Sequence, residues 1–234
     1  MSNIHLNLKN TNNGKYNVFT IANDEYIGPT INAGCEWDGW MREDIQKYYT
    51  PGTEIFDIGA NIGYNSLMFS DYGPVYAFEP VYHKIVDLNI ENNNLKHQIH
   101  SIPVALSNNS ESVYMYLPNE VKTTGLRNYG GTSIHVDHGT DQSSKTVVTC
   151  RRLDDIYYDK GKVSFIKLDV EGHEPQVLEG AKKVITENLP TILVELIDYE
   201  NSIVPQILKE FGYTEEPIRR PEKMYLFRSP LHYI

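Results

Sequence analysis

Apolar and polar positions along the chain alternate between strand-length runs and helix-spaced stripes. Residues 54–58, EIFDI, form an apolar run of strand length, fed by the turn residues Pro51 and Gly52. A helix-length segment over 64–71 follows, then Gly73-Pro74 and a second apolar run, VYAF, at 75–78. Two strands joined by a short crossover predict a parallel βαβ unit. Val81, Ile85 and Leu88, with Val86 and Ile90 on a neighbouring stripe, place a helix over 80–94 that the Asn run at 92–94 stops. IHSIPVAL at 99–106 predicts a third strand, and SVYMYL at 112–117 and TVVTC at 146–150 two more extended pieces.

The most hydrophobic strand is VSFIKL at 163–168, as a strand buried on both faces should be, and it belongs at the sheet centre beside 54–58. A helix over 174–186 turns Val177, Leu178, Ala181 and Ile185 inward, followed by the strand TILVEL at 191–196 and a helix ending at Phe211-Gly212. Segments around Tyr213 and at 224–227 predict an antiparallel C-terminal edge. Upstream, 37–49 reads as an amphipathic helix and the first 30 residues as a hairpin. The pattern is α/β. Residues 1–34 are expected to form an N-terminal extension and 35–234 a single domain, with no repeat or linker between them. The Gly-, His- and Asn-containing loop over 118–145 is long for a compact domain, so it is either a lid or substrate loop or a disordered insert.

Composition narrows the function. The chain has 234 residues, enough for one α/β domain with a full core. No segment approaches the roughly 18 uninterrupted apolar residues of a membrane span, and the polar, Asn-rich start has no signal-peptide pattern, which predicts a cytoplasmic protein. Cys35 and Cys150 are too few for a disulfide framework and lack zinc-site spacing. The net charge of -10, with scattered Lys and Arg, argues against nucleic acid as a partner. Oligomeric state is left open.

Candidate chemistry concentrates first in DIGANIG, 57–63, between a strand and a helix. Gly59 and Gly63 permit unusual dihedrals and close backbone approach by a ligand, with Ala60 and Asn61 completing the loop. A dinucleotide fingerprint is GxGxxG aimed at a pyrophosphate. Here that spacing is missing and an acid, Asp57, precedes the glycines, which suits a cationic ligand better than a phosphate. Glu79 ends the next strand, roughly 20 residues on, where an acid takes ribose hydroxyls in doubly wound folds. The combination fits a nucleoside with sulfonium and ammonium groups, S-adenosylmethionine, with adenine near Ala105 at the end of the third strand. The plainer alternative makes Asp57 a helix cap and Glu79 a strand-end charge.

DIGANIGYNS at 57–66, YAFEP at 76–80, PVALS at 103–107, GGTSI at 130–134, RRLDDI at 151–156, FIKLDVEGHEPQVLEGA at 165–181 and ILVEL at 192–196 resemble, in order and spacing, the FkbM-type methyltransferases. The resemblance covers roughly 35–200. It implies a class I methyltransferase sheet, Rossmann-like and seven-stranded, mostly parallel with helices on both faces, and transfer of a methyl group to a hydroxyl, commonly of a sugar or a polyketide-like product.

The segment Asp169-Val170-Glu171-Gly172-His173-Glu174 follows the central strand, at the edge where ligands bind. Asp169 and Glu171 share a side if extended geometry persists, and Asp169 is expected to reach the donor as well. His173 is the neutral-pH titrating group of the segment and the candidate general base, with Asp169 and Glu171 as its catalytic companions; a helix-start His can equally be a cap. The same two carboxylates and imidazole could hold a divalent metal, a use that the spacing does not favour. His135 and His138, with Asp137 between them, read as a solvated loop. Glu195 faces the acceptor side or pairs with Lys167. Trp37 and Trp40 either stack on a sugar or cofactor or pack the core. An NAD-dependent enzyme and a catalytically silent scaffold are the readings outside this chemistry, disfavoured by the glycine spacing and by the joint presence of Asp57, Glu79 and the 169–174 cluster.

Overall fold

The computed structural model describes residues 6–135, 145–157, 161–218, 220–221 and 223–229. The strands β3 (Glu54–Ile58), β4 (Val75–Phe78) and β5 (Ile99–Ile102) lie parallel on one side of the sheet. β9 (Val163–Leu168) and β10 (Thr191–Glu195) continue it in parallel on the other, and β12 (Met224–Arg228) and β11 (Thr214–Glu215) close it as an antiparallel edge. The order is β11-β12-β10-β9-β3-β4-β5. This mixed α/β fold with a seven-stranded, mostly parallel sheet agrees with the expected pattern.

Alternation along the strands supplies two cores. Ile55 and Leu193 face one side, with Met41 and Ile45 of α2 (Met41–Tyr48), Leu67 and Met68 of α3 (Tyr64–Phe69), and Ile85 and Val86 of α4 (His83–Glu91). Phe56, Ile192 and Val194 face the other, against α6 (Glu174–Gly180), α7 (Lys182–Asn188) and α8 (Val204–Glu210). Burying apolar surface on both faces explains why β9 is apolar at four of its six positions, the exceptions being the small Ser164 and the charged Lys167.

Three boundaries differ from expectation. The run 99–106 is not one strand: Pro103 has no N–H to donate, and beyond it β6 (Ala105–Leu106) leaves the sheet to pair with β8 (Lys145–Arg151), which also pairs with β7 (Ser112–Tyr116). The helix expected over 174–186 breaks at Ala181 into α6 and α7, beside Gly180, where an added Cβ would lie 2.0 Å from the Ser107 carbonyl oxygen. The helix expected from Trp37 begins only at Met41.

The N-terminal hairpin is present as β1 (Leu8–Asn12) and β2 (Asn17–Ile21), and α1 (Ile27–Asn32) follows it. It is fastened to the rest of the chain through Asn89, fully buried on α4, which accepts from the Phe19 backbone N–H at 2.6 Å and donates to the Ile62 carbonyl at 2.7 Å. Val18 and Ile21 of β2 join the same apolar cluster as α2–α4. Among the described residues no helix is long and apolar enough to cross a membrane.

Candidate active site

Strand order reverses between β3 and β9, and ligands bind in open α/β sheets outside the carboxyl ends of the strands at such a point. A cavity of about 410 Å³ lies there. Its wall includes Gly59, Ala60, Asn61, Glu79, Ala105, Asp169, Glu171 and His173, so most of the residues singled out in the sequence converge on one space. Asp57 and Gly63 stand behind it.

The loop after β3 is shaped by its own hydrogen bonds. Gly59 and Ala60 donate to the Phe78 carbonyl at 3.0 and 3.2 Å, joining the loop to the end of β4. Asn61 is left-handed (φ 52), and its N–H donates to Glu79 Oε2 at 2.9 Å. Glu79 Oε1 accepts from the N–H groups of Val81 at 2.7 Å and Tyr82 at 2.9 Å. Glu79 is therefore more than a strand-end charge: it ties the glycine loop to the start of α4. Burial pushes its carboxyl up to about 7, against the pull of those N–H groups. Gly59 has φ 79, and an added Cβ would lie 1.8 Å from the Asp169 carbonyl oxygen. The demand for glycine here comes first from the neighbouring protein loop, not from a ligand.

Asp57 has no exposed surface. Ser66 Oγ donates to its Oδ2 at 2.5 Å, and Lys167 Nζ stands 3.7 Å from its Oδ1. Burial pushes the pKa of its carboxyl up, partly opposed by Lys167 and Ser66. Asp57 thus acts on the cavity from underneath, as a buried countercharge.

After β9 the chain does not stay extended. Glu171 (φ 56) and Gly172 (φ 94) are both left-handed, and Glu174 Oε1 caps the turn by accepting from Val170 at 3.2 Å and Gly172 at 3.1 Å. Extended alternation therefore does not align Asp169 with Glu171; the turn does. Their carboxylates, with that of Glu195 at the end of β10, lie within 4.8 Å of one another. Burial and mutual repulsion push Glu171 up to about 8 and Glu195 up to about 9. A group of strongly shifted acids in a cleft marks a candidate functional site. Lys167 ion-pairs with Asp57 and Asp169 in preference to Glu195.

His173 is placed differently from a free base. Its Nε2 shares a hydrogen bond with Ser107 Oγ at 2.9 Å and its Nδ1 one with His135 Nε2 at 2.7 Å. Burial, helped by the nearby His135, lowers it to about 4, so the ring is neutral. It stands outside the close carboxylate group, which is the set a divalent cation would use. His135 is exposed, as a solvated loop residue would be, and still reaches His173 through that bond; Asp137 and His138 lie outside the described residues.

The described part of the 118–145 loop borders the cavity with Asn128, Tyr129, Thr132 and Ile134. It is held by Tyr82–Thr132 (2.7 Å), Asn61 to the Tyr129 carbonyl (3.4 Å) and Ser133 to the Glu171 carbonyl (2.9 Å). Trp37 and Trp40 both pack against the core, and Trp37 also lines the cavity. Sequence reasoning missed Asn65, 7% exposed, whose Oδ1 has no hydrogen-bond partner while its Nδ2 donates to Asp38 at 3.0 Å. It gave Lys167 too small a part, although a charge inside the central apolar strand was the available signal.

The chain belongs to the FkbM methyltransferase family: the methyltransferase FkbM domain matches residues 57–215. A methyltransferase FkbM from Methylobacillus flagellatus KT, known from a 2.20 Å crystal structure, is similar over 80% of this chain and 50% of that one, with 18% identity and a TM-score of 0.44. This chain therefore spans about half the length of that relative. No curated protein matches it.

Proposed function

We propose that the protein is an S-adenosylmethionine-dependent O-methyltransferase built on a class I methyltransferase sheet, and that its acceptor is a hydroxyl of a sugar in a glycan or glycosylated metabolite. The observation that carries this reading is the cavity at the strand-order reversal, which has a ribose-type acid at one end and shifted carboxylates at the other.

The residues present suit the donor. Phe78, Val104, Leu106, Met115 and Ile134 offer an apolar slot for adenine beside Ala105. Glu79 spends three of a carboxylate's roughly four acceptor positions on backbone N–H groups, which leaves one for a ribose hydroxyl. Asn65 Oδ1, an unsatisfied buried acceptor, and Asp169 would take the ammonium end. Bound there, S-adenosylmethionine would supply an electrophilic methyl group on a sulfonium.

The chain's own contribution is to place and deprotonate the acceptor. Tyr26, Trp37 and Ile197 form an apolar rim against which a sugar ring could lie, and Glu171 and Glu195 sit beyond Asp169 as hydrogen-bond acceptors for its hydroxyls. We assign proton removal to this carboxylate group instead of to His173, because both nitrogens of that ring are engaged within the protein. Residues 118–135 act as the lid that keeps water from the site. A non-sugar small molecule is the alternative acceptor.

Calorimetric titration with S-adenosylmethionine and, separately, with NAD tests the donor reading: binding of the first alone supports it, and binding of NAD alone overturns it. A mass-spectrometric screen of glycans and glycosylated metabolites for a gain of one methyl group then tests the acceptor. Methylation confined to non-sugar compounds would replace the sugar reading.

A further inference from the structure

We propose that Lys167 is a positioning residue of this site, joining the loop after β3 to the loop after β9 so that Asp169 meets the methyl donor in a fixed place. The inference rests on the donor reading above and adds to it a residue that contacts the donor through another group.

Lys167 is 3% exposed at the middle of the sheet, in an otherwise apolar stretch. Its Nζ donates to the Gly59 carbonyl at 3.0 Å and lies 3.0 Å from Asp169 Oδ2 and 3.7 Å from Asp57 Oδ1. An ammonium has three N–H donors and no acceptor, so this set of oxygens matches it. Burial works against its charge, yet the facing carboxylates of Asp169 and Asp57 outweigh that and keep it protonated.

The placement follows from register. Asp57 and Lys167 are direct partners across the parallel β3–β9 pair, and the ladder runs on into the loops through the Asp169 N–H to the Ile58 carbonyl at 3.1 Å. At the next step the loops nearly touch, where Gly59 leaves room for the Asp169 carbonyl. One side-chain atom therefore grips the glycine loop, through Gly59, and the acidic loop, through Asp169. A buried ion pair is weak evidence for stability, because desolvation cancels much of the Coulombic gain. Its value here lies in geometry: among the described residues of the cavity wall the cations are Lys167 and Lys223, and Lys167 is the one with a carboxylate of the wall at 3.0 Å.

The test is a double-mutant cycle read by calorimetric titration with S-adenosylhomocysteine, on wild type, K167M, D169N and K167M/D169N. Loss of a charge-assisted contact predicts that K167M weakens binding by about tenfold or more. Because Lys167 acts through Asp169, the double variant should bind within about threefold of D169N, a strongly non-additive result. A purely structural lysine would lower the melting temperature of K167M and leave the dissociation constant of the folded protein unchanged, which overturns the proposal. Additive losses overturn it too. If wild type binds no S-adenosylhomocysteine, the donor reading falls and this proposal with it, whereas normal binding by both wild type and K167M removes Lys167 alone. Should K167M fail to fold because Asp57 is left without a countercharge, the same cycle on a D57N background removes that stranded carboxylate and is read by the same criteria.

Discussion

Acidification should destabilise this protein through His173, by an amount that the surroundings of the ring set. The ring is 7% exposed, with its nitrogens shared with Ser107 and His135, and burial and His135 together lower it to about 4. An unfolded histidine titrates near 6.5. Between these values the unfolded chain binds a proton that the native state refuses, so the stabilisation is complete above roughly pH 6.5 and is lost as pH falls toward about 4. At about 1.4 kcal/mol per unit the whole interval is worth roughly 3 kcal/mol, of which about 2 kcal/mol falls above about pH 5. For a chain of this size that corresponds to a drop of roughly 4–8 °C in melting temperature. The assay is a series of melting curves from about pH 7 to about pH 5 on wild type and His173→Asn. The variant loses contacts and starts lower, but its curve should fall less steeply, so the gap narrows on acidification. Other acids titrate in both proteins and cancel in the comparison. Parallel curves would refute the reasoning, because the proton would then be binding elsewhere.

The remaining predictions concern the loops and the acids. Gly59→Ala should cost far more stability than Gly63→Ala in chemical denaturation, since its Cβ would meet a backbone oxygen at 1.8 Å while that of Gly63 meets a Val86 methyl at 3.1 Å; equal losses would contradict this. Glu195, raised to about 9, is destabilising when ionised, an effect absent below about pH 4.5 and growing as pH rises toward about 9, so Glu195→Gln should raise the melting temperature at about pH 8 and not at about pH 5. Glu79→Ala strands three backbone N–H groups and should cost roughly 2–4 kcal/mol as well as weaken donor binding, measured by denaturation and titration. Methyl transfer should be unaffected by a chelator; loss of activity restored by a divalent cation would move Asp169, Glu171 and Glu195 to the role of metal ligands.

Legibility in the sequence followed the range of the forces involved. The strands β3, β4, β9 and β10 were readable because burial on both faces writes a local apolar run, and the antiparallel edge because short runs after the last helix have nowhere else to pair. Where a boundary depended on a distant partner, the reading failed. Pro103 marked a break, but only β8, some 45 residues away, decides that β6 leaves the sheet. Ala181 carries no breaking signal; the helix parts there because Gly180 is pressed against Ser107 from the β6 side.

The same distinction separates the glycine loop from the acid cluster. Asp57, Gly59 and Glu79 could be picked out because strand, turn and helix fix their relative positions within one βαβ unit. His173 drew attention for its ordinary titration range, and that was the property the fold removed, by burying it against Ser107, 66 positions away, and against His135, 38 positions away. Conversely, Glu195 was one strand-end charge among several until the turn at Glu171 brought Asp169 and Glu171 beside it, and repulsion among them raised it. In this chain the carboxylate group of Asp169, Glu171 and Glu195 is created by convergence at the sheet edge. On the proposed function the acceptor rim straddles the boundary of the family match: Tyr26 and Trp37 lie outside residues 57–215, whereas Glu171, Glu195 and Ile197 lie inside it. Specificity for the acceptor should therefore be sought in substitutions at Tyr26, Trp37 and Ile197, whose effects should differ between acceptors, while substitutions at the donor-side residues Asn65 and Glu79 should alter donor binding and turnover for every acceptor alike.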